Sequence, residues 1–335
     1  MNDLVSFIEN SFLKDLLLND DITDISYNGK EIFYVNNYYG RRKFDHDVTS
    51  DEVYLFLRNI SNIKDIPFSL SHPIIDLSFS KYRLNATYNN ITKKNNNSCY
   101  SFSIRKASRV IKITNNDKFF SKKLFSILNL LIVLNKSFLI SGPTSSGKSE
   151  FQKYLISLLK ENTRVIVIDS INELDINYEN KIDITHLILE KENVNGFEEL
   201  LKTSLRYNPD YVILAEARGK EIEYVINSAM SGISTITTLH APNINLIVSR
   251  IVTMLQIQNK NTERDVLEKT ILDSFDVFVQ LEKYSNEDGS ICRRIKDLAL
   301  IINGKVMKIY ECNEEFKEGV LLIDEEQIIE YIKKQ

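Results

Sequence analysis

Residues 142–149 read Gly142-Pro143-Thr144-Ser145-Ser146-Gly147-Lys148-Ser149, and this segment predicts the fold of the chain. Two glycines separated by four residues and followed by a lysine and a hydroxyl residue form the pattern of a phosphate-binding loop. The glycines let successive backbone N–H groups point at phosphate oxygens, and a helix beginning at Lys148 adds its positive end. Lys148 would reach the outer phosphates, and Ser149 would bind Mg²⁺. On its own, this loop fits a kinase, a GTPase or a motor.

The residues around the loop predict an α/β domain. Ser137 to Ile140 has the composition of a short strand, and Glu150 to Lys160 predicts a helix. From Phe119 onward, short apolar strands alternate with helical patterns. Such alternation predicts a mainly parallel sheet covered by helices.

Three acidic residues and a histidine lie at or after the ends of predicted strands. Asp169 and Glu216 each end an apolar strand, and Glu173 lies four residues after Asp169. His240 follows a strand of alternating hydroxyl and apolar residues. Because parallel strands open at their carboxyl ends onto one crevice, we expect the strand ends at Asp169, Glu216 and His240 to converge on Lys148. Acids there can hold the water shell of Mg²⁺ or orient an attacking water. Each acid alone also fits a helix N-cap or a solvated strand end, and a lone histidine is more often structural.

The chain before the loop predicts a separate α+β domain. Its pattern is a helix at Asp3–Leu18, two strands around an Asn28-Gly29 turn, and a helix from Ser50. The Asn-Gly pair between alternating strands is a strong hairpin signal. Further strands are predicted at Ile74–Phe79, Tyr82–Tyr88 and Tyr100–Ile104, with a polar tract, Asn89–Ser98, predicted as an exposed loop.

A polar stretch separates the two patterns. We therefore predict a first domain at residues 1–112, a linker at 113–120 and a second domain at 121–335.

Arginines of the first domain are candidates for phosphate contacts. Arg83 and the Arg105-Lys106 pair lie on or beside predicted strands near the linker. The planar arginine fork suits phosphate, and a neighbouring domain could swing one onto a nucleotide. An exposed strand charge explains these residues equally well. Two other basic groups, Arg41-Arg42-Lys43 and Arg293-Arg294, are more typical of solvated faces.

Composition excludes several classes of protein. Hydrophobic residues make up 43% and charged residues 26%, which is ordinary for a folded globular chain. With 42 basic and 46 acidic residues, the net charge of −4 argues against a protein that coats nucleic acid. The three scattered cysteines indicate a reducing, cytosolic compartment. Charged and polar residues interrupt every apolar run, so we expect neither a transmembrane segment nor a signal peptide.

Taken together, these motifs resemble the traffic ATPases of type II and type IV secretion, which include conjugation ATPases and type IV pilus motors. The resemblance covers almost the whole chain. It rests on the segments Ile22–Gly29, Tyr82–Ala86, Ser103–Lys106, Gly142–Ser149, Asp169–Leu174, Leu205–Arg218, Thr237–Ala241 and Phe275–Leu281. The Glu-x-Arg strand end and the Thr-Leu-His-Ala box are together quite specific.

The resemblance implies a PAS-like N-terminal α+β domain joined to a RecA-like P-loop ATPase domain. It also implies a homohexameric ring that binds ATP and Mg²⁺ between the two domains. The implied function is a motor for type IV secretion, conjugation or pilus assembly. Such a motor is peripheral at the cytoplasmic face of the membrane, where its partners are inner-membrane secretion or pilus platform proteins, with no direct contact to nucleic acid.

The resemblance also implies roles for individual residues. The implied roles are Glu216 as the Walker B acid, His240 as the histidine box, Asp169 with Glu173 as the acidic box, Arg83 and Arg105 as residues that close on the phosphates, and Arg218 as an arginine near the subunit boundary.

The chain departs from the family pattern at a few positions. An acid is usual at Ser170, a histidine at Ile233, and an arginine or acid at Asn208. These departures are compatible with slow turnover, so a low-turnover ATP-binding scaffold is an alternative, as is a RecA-like motor acting on DNA. The length of the chain and the lack of a four-cysteine insert favour the conjugation and type IV secretion branch.

Overall fold

The structure is a computed structural model that describes residues 2–113, 119–170, 172–189, 196–257, 262–312 and 319–334. The chain divides into two compact units. One comprises Met1–Arg109 with Ser285–Ile291, and the other Val110–Tyr284 with Cys292–Gln335. Most of the predicted linker, residues 114–118, lies outside the described residues, and the predicted domain boundaries stay a prediction.

The first unit is built on an antiparallel sheet. Within the described residues this sheet has six strands in the order β3-β2-β1-β8-β5-β4. The strands are β1 (Ile22–Tyr27), β2 (Ile32–Asn36), β3 (Gly40–Lys43), β4 (Ile74–Phe79), β5 (Tyr82–Thr87) and β8 (Ser101–Lys106). The helices are α1 (Asn2–Glu9), α2 (Lys14–Leu18) and α3 (Ser50–Lys64). Along β5, the side chains of Tyr82, Leu84 and Ala86 are buried while Asn85 is exposed, so one face of the sheet carries the core.

Two expectations for this unit were wrong in detail. The predicted helix Asp3–Leu18 is two helices, because the side chains of Asn10 and Ser11 donate hydrogen bonds to the carbonyls of Ser6 and Ile8. Such local bonds compete with helix continuation. The polar tract predicted as a loop contains a small exposed hairpin of β6 (Lys93–Lys94) and β7 (Asn97–Ser98).

The second unit is built on a larger sheet. Its described strands follow the order β11-β10-β12-β13-β9-β14-β15-β16-β17. Strands from β11 to β14 pair in parallel, whereas β15, β16 and β17 pair antiparallel. The strands are β9 (Phe138–Ser141), β10 (Arg164–Asp169), β11 (Asp183–Ile188), β12 (Tyr211–Leu214), β13 (Ser234–Leu239), β14 (Val277–Ser285), β15 (Ile291–Ile302), β16 (Lys305–Glu311) and β17 (Val320–Leu321).

Helices cover both faces of this sheet. They are α4 (Lys122–Val133), α5 (Lys148–Ser157), α6 (Gly196–Arg206), α7 (Glu221–Met230), α8 (Ile247–Gln256), α9 (Arg264–Ser274) and α10 (Glu325–Lys334), with a 3₁₀ turn at Ile244–Leu246. Along β10, Val165 and Val167 pack with α4, α5 and α10, while Ile166 and Ile168 pack with α6 to α9. Burial on both sides explains why β10, from Val165 to Ile168, and β12 are continuously apolar.

The predicted fold class is confirmed: a small α+β unit precedes a P-loop unit with a mainly parallel sheet. Among the helices formed by the described residues, none is long and apolar enough to cross a membrane.

Candidate active site

The predicted phosphate loop connects β9 to α5. A Cβ added at Gly142 would lie 2.8 Å from the Leu281 carbonyl oxygen and 2.6 Å from Ser146 Oγ, so the tight approach needs a glycine. Gly147 caps α5 with a φ of 96°, in the left-handed region. Pro143, Thr144 and Ser145 are exposed, whereas Ser146 is fully buried.

The Lys148 ammonium lies against the loop that precedes it. Its Nζ donates to the carbonyls of Gly142 and Pro143, each at 3.0 Å. The same Nζ lies 3.3 Å from Nδ1 of His240. The lysine of the loop and the histidine at the end of β13 are therefore direct neighbours, as the parallel sheet predicted.

Glu216, two residues beyond β12, is held by two cationic or hydrogen-bonding partners. Arg218 Nη2 donates to Glu216 Oε2 at 2.6 Å, and His240 Nε2 lies 3.0 Å from Glu216 Oε1. His240 therefore lies between the phosphate loop and the Glu216 carboxylate, with one ring nitrogen towards each. Glu216, Arg218, His240 and Lys148 thus form a continuous chain of polar contacts.

The surroundings of Glu216 act on its pKa in opposite directions. Burial is the largest effect and raises the pKa, because a low-dielectric environment disfavours the charged form. The hydrogen bond and charge of Arg218, with smaller contributions from His240 and Lys148, outweigh it and place the pKa below its ordinary value. The carboxyl group is therefore ionised at neutral pH.

The acidic residues after β10 form a second part of the site. Asp169 is buried, and its Oδ2 accepts a hydrogen bond from the Glu173 backbone N–H at 2.7 Å. The Ser149 hydroxyl donates to Glu173 Oε2 at 2.7 Å. Asp169 therefore fixes the backbone that brings the Glu173 carboxylate to the first turn of α5.

The oxygen groups at this position fit Mg²⁺. The Ser149 hydroxyl and the Glu173 carboxylate are hard oxygen donors that lie within hydrogen-bond distance of each other. The described residues contain no group of three or more His, Cys, Asp or Glu side chains arranged to hold a metal. Mg²⁺ usually binds one or two protein groups and completes its shell with phosphates and water, so this small donor set is sufficient.

The two arginines of the first unit are cross-strand neighbours. Arg83 on β5 lies opposite Arg105 on β8, on the face of the sheet away from the core. Like charges in directly opposed positions destabilise a sheet. Asp76, on β4, offsets part of this repulsion through its contact with Arg83 Nε at 3.4 Å. On the other side of β8, Asp24 of β1 lies opposite Arg105, so acidic residues flank the pair on both sides.

Sequence reasoning missed side chains from the later strands. Arg293 was interpreted as part of a solvated face, but its Nε donates to the Ser145 carbonyl of the phosphate loop at 2.8 Å. Arg294 is only 8% exposed, and its Nε donates to Glu282 at 2.6 Å, which contradicts the solvated interpretation. Gln280 on β14 lies within the motif Phe275–Leu281, which indicates no contact for it. In the structure its side chain accepts a hydrogen bond from Ser141, the last residue of β9.

The family described as type II/IV secretion system protein matches residues 102–320, which is more than half of the chain. The protein belongs to the type II/IV secretion system protein family. This finding confirms the resemblance inferred from the motifs.

Similar proteins agree with the family. An uncharacterised Bacillus anthracis protein is 26% identical over 253 residues, which are 74% of this chain and 57% of that protein. The type IV secretion system protein VirB11 of Bartonella quintana is 31% identical over 171 residues, 49% of this chain and 47% of that protein. The chain thus spans about half the length of the curated relatives it matches.

Solved structures show the same fold. The Legionella pneumophila ATPase DotB has a TM-score of 0.64 at 18% identity, covering 94% of this chain and 84% of that chain. The pilus retraction motor PilT with bound ADP has a TM-score of 0.60 at 16% identity, covering 85% and 82%. At these identities the likeness supports the fold and leaves the roles of single residues to the geometry of this chain.

Proposed function

We propose that this protein is an ATPase that uses Mg²⁺ and hydrolyses ATP at the phosphate loop to drive a type IV secretion, conjugation or pilus machine. The observation that supports this proposal is the chain of contacts from Lys148 through His240 to Glu216 and Arg218. It joins the phosphate loop, the Walker B position and the histidine box, the groups that phosphoryl transfer to water requires.

Each residue has a distinct part in this proposal. Bound ATP with Mg²⁺ supplies the phosphoryl group and the metal that neutralises its oxygens. Lys148, which here contacts the loop carbonyls, would hold the outer phosphates, and the Ser149 hydroxyl would bind the metal. Glu216 is ionised and orients the attacking water or accepts its proton, while His240 holds the carboxylate in place.

The assembly belongs to the same proposal. We propose a homohexamer at the cytoplasmic face of the membrane, with platform proteins of the inner membrane as partners. Arg218 would lie near the subunit boundary, and the opposed pair Arg83 and Arg105 would supply positive charge to the phosphates. Positioned arginines contribute roughly 10³ to 10⁵ in rate in phosphoryl transfer, so assembly would control turnover.

Two substitutions test the activity. Lys148→Ala removes the only side-chain cation that the loop sequence itself provides, so ATP binding should be lost. Glu216→Gln keeps the shape of the side chain without its charge, so ATP should bind while phosphate release falls by roughly 10² or more. Nucleotide binding and phosphate release are measured on the purified proteins.

Matched controls come from the exposed residues just after α5. Lys160→Ala and Glu161→Gln make the same chemical changes at exposed positions and should leave both measurements unchanged. Normal phosphate release from Glu216→Gln would overturn the catalytic assignment. ATP binding with negligible release from the wild-type protein would favour the low-turnover scaffold, a role that the departures at Ser170 and Ile233 allow. DNA-stimulated, salt-dependent activity would favour the DNA motor.

A further inference from the structure

A single buried glutamine contacts both of the segments that carry the proposed catalytic residues. Gln280 lies on β14, in register with Ser141 on β9, and is 2% exposed. Its neighbours along β14, Val279 and Leu281, pack in the apolar layer of α4, α5 and α10. A large amide buried at this position needs hydrogen-bond partners, because an unpaired buried polar group is costly.

The amide of Gln280 finds different partners at its two ends. Its Oε1 accepts a hydrogen bond from the Ser141 hydroxyl, directly before the phosphate loop. Its Nε2 donates to the carbonyls of Ala241 and Pro242, at 3.3 and 3.4 Å. A reversed amide would point its oxygen at these two carbonyl oxygens, whereas the Ser141 hydroxyl can rotate to accept a hydrogen bond from an NH₂ group. The surroundings therefore select one orientation.

The two contacted segments are those that must stay aligned for His240 to meet Lys148. Ala241 directly follows His240, and Ser141 directly precedes Gly142. The Gly142 carbonyl lies 3.1 Å from His240 Nδ1 and accepts a hydrogen bond from Lys148 Nζ at 3.0 Å. The amide of Gln280 thus links the same two segments through a second set of contacts.

We infer that Gln280 is a positioning residue that holds the His240 loop against the phosphate loop. This inference rests on the proposed ATPase activity, since it assigns a role in that reaction. The hydrogen bonds of the Gln280 side chain go to Ser141, Ala241 and Pro242, and not to Glu216 or Lys148. Its effect on turnover must therefore pass through the placement of His240.

The partners at the two ends of the Gln280 amide differ in whether another hydrogen-bond partner remains when the amide is removed. The Ser141 hydroxyl also lies 3.3 Å from the Val279 carbonyl, a second acceptor that remains when the glutamine is replaced. The carbonyls of Ala241 and Pro242 lose the donor that ties them to β14. Replacement of Gln280 should therefore disturb the His240 side more than the phosphate loop, and should lower kcat while ATP affinity is kept.

The test is a double-mutant cycle measured by phosphate release. Gln280→Met has a similar volume and no hydrogen-bonding amide, and it should lower kcat about tenfold with less than about a twofold change in ATP affinity. In a His240→Ala background the same substitution should change kcat by less than about twofold, because the effects of residues that act through one shared segment are not additive.

Gln152→Met is the matched control. Gln152 is also fully buried, but its amide donates to the Leu214 carbonyl at the end of β12, at 2.9 Å. Loss of packing alone would make both methionine variants behave alike in the two backgrounds. If Gln280→Met turns over at the wild-type rate, or costs the same factor with and without His240, the inference is wrong. A wild-type protein that releases no phosphate would instead refute the proposed function.

A second variant covers the case in which Gln280→Met does not fold, as judged by thermal unfolding. Gln280→Asn keeps the amide but is one methylene shorter, so it cannot span from Ser141 to Ala241. It should show the same fall in kcat and the same loss of effect in the His240→Ala background. An asparagine variant with wild-type turnover would overturn the inference.

Discussion

Burial and the neighbouring Arg218 guanidinium shift the pKa of the Glu216 carboxyl group in opposite directions. The pKa lies below its ordinary value of 4.5, so the folded protein holds the charged form more tightly than the unfolded chain does. The resulting stabilisation is present above the ordinary pKa and is lost as the pH falls through the lower folded value. The ionised form that the proposed mechanism needs is thus secured well below neutral pH.

Arg218→Ala should move the acid limb of the rate profile to higher pH. Arg218 is the main partner that lowers the pKa of Glu216, so the pKa should rise when its hydrogen bond and charge are removed. The measurement is kcat/KM for ATP hydrolysis between about pH 4 and 8, where the limb reports the free enzyme. The position of the limb is informative even when the rate itself is reduced.

Arg218→Lys is the control for this shift. It keeps the positive charge but loses the planar fork, so the acid limb should lie between those of the wild type and the alanine variant. An acid limb at the same pH in all three proteins would show that Glu216 does not set it.

Among the elements, the phosphate loop depends on close backbone packing against the middle of β14. Gly142→Ala would place a Cβ 2.8 Å from the Leu281 carbonyl oxygen, and a backbone atom cannot move aside cheaply. We expect a loss of ATP affinity of at least about tenfold, because the loop must shift away from its phosphate-binding shape. Fluorescent-nucleotide titration measures the affinity.

Gly219→Ala is the comparison for this substitution. The added Cβ would meet only the flexible end of Glu221, at 3.4 Å, in a backbone conformation open to other residues. This variant should bind ATP as the wild type does. Equal affinity in the two alanine variants would contradict the packing argument.

The residues at the strand ends of the site could be predicted from the sequence, whereas the contacts of Gln280 and Arg293 with neighbouring segments could not. Asp169, Glu216 and His240 end or follow predicted strands, and in a parallel sheet such ends share one edge whatever the strand order. The contacts of Gln280 and Arg293 depend on which strands are neighbours. Strand β14 pairs with β9, far away in sequence, and no local pattern carries that information.

Local side-chain hydrogen bonds also set where α1 ends, which the spacing of apolar residues does not predict. The first helix has an apolar repeat that continues to Leu18, but side-chain bonds from Asn10 and Ser11 end α1 early. The edge strand β11 has mostly half-buried residues, and its pairing with β10 defines it better than its own sequence does. Tertiary pairing therefore added what propensity alone could not.

For the molecule as a whole, the net charge has the same sign as the charge of the proposed ligand, ATP. A net charge of −4 gives no general attraction for a nucleoside triphosphate, so local groups must supply it. In the second unit these are Lys148, Arg218 and the positive end of α5. In the first unit the proposed contributors are Arg83 and Arg105, which lie opposite each other on β5 and β8. If phosphate release needs arginines from neighbouring subunits, it should depend on assembly of the proposed hexamer.

We expect phosphate release per subunit to fall on dilution, as rings dissociate into subunits whose arginines no longer meet a neighbour's nucleotide. The measurement combines specific activity over a wide range of protein concentration with native mass spectrometry of the same samples. Because positioned arginines contribute roughly 10³ to 10⁵ in rate, the fall should be steep and should follow the loss of hexamer. Glu216→Gln with ATP should hold the ring at concentrations where Lys148→Ala does not, since a ligand that binds an assembled state stabilises it. Constant activity per subunit in samples that contain only monomer would contradict the assembly, while leaving the ATPase assignment to its own test.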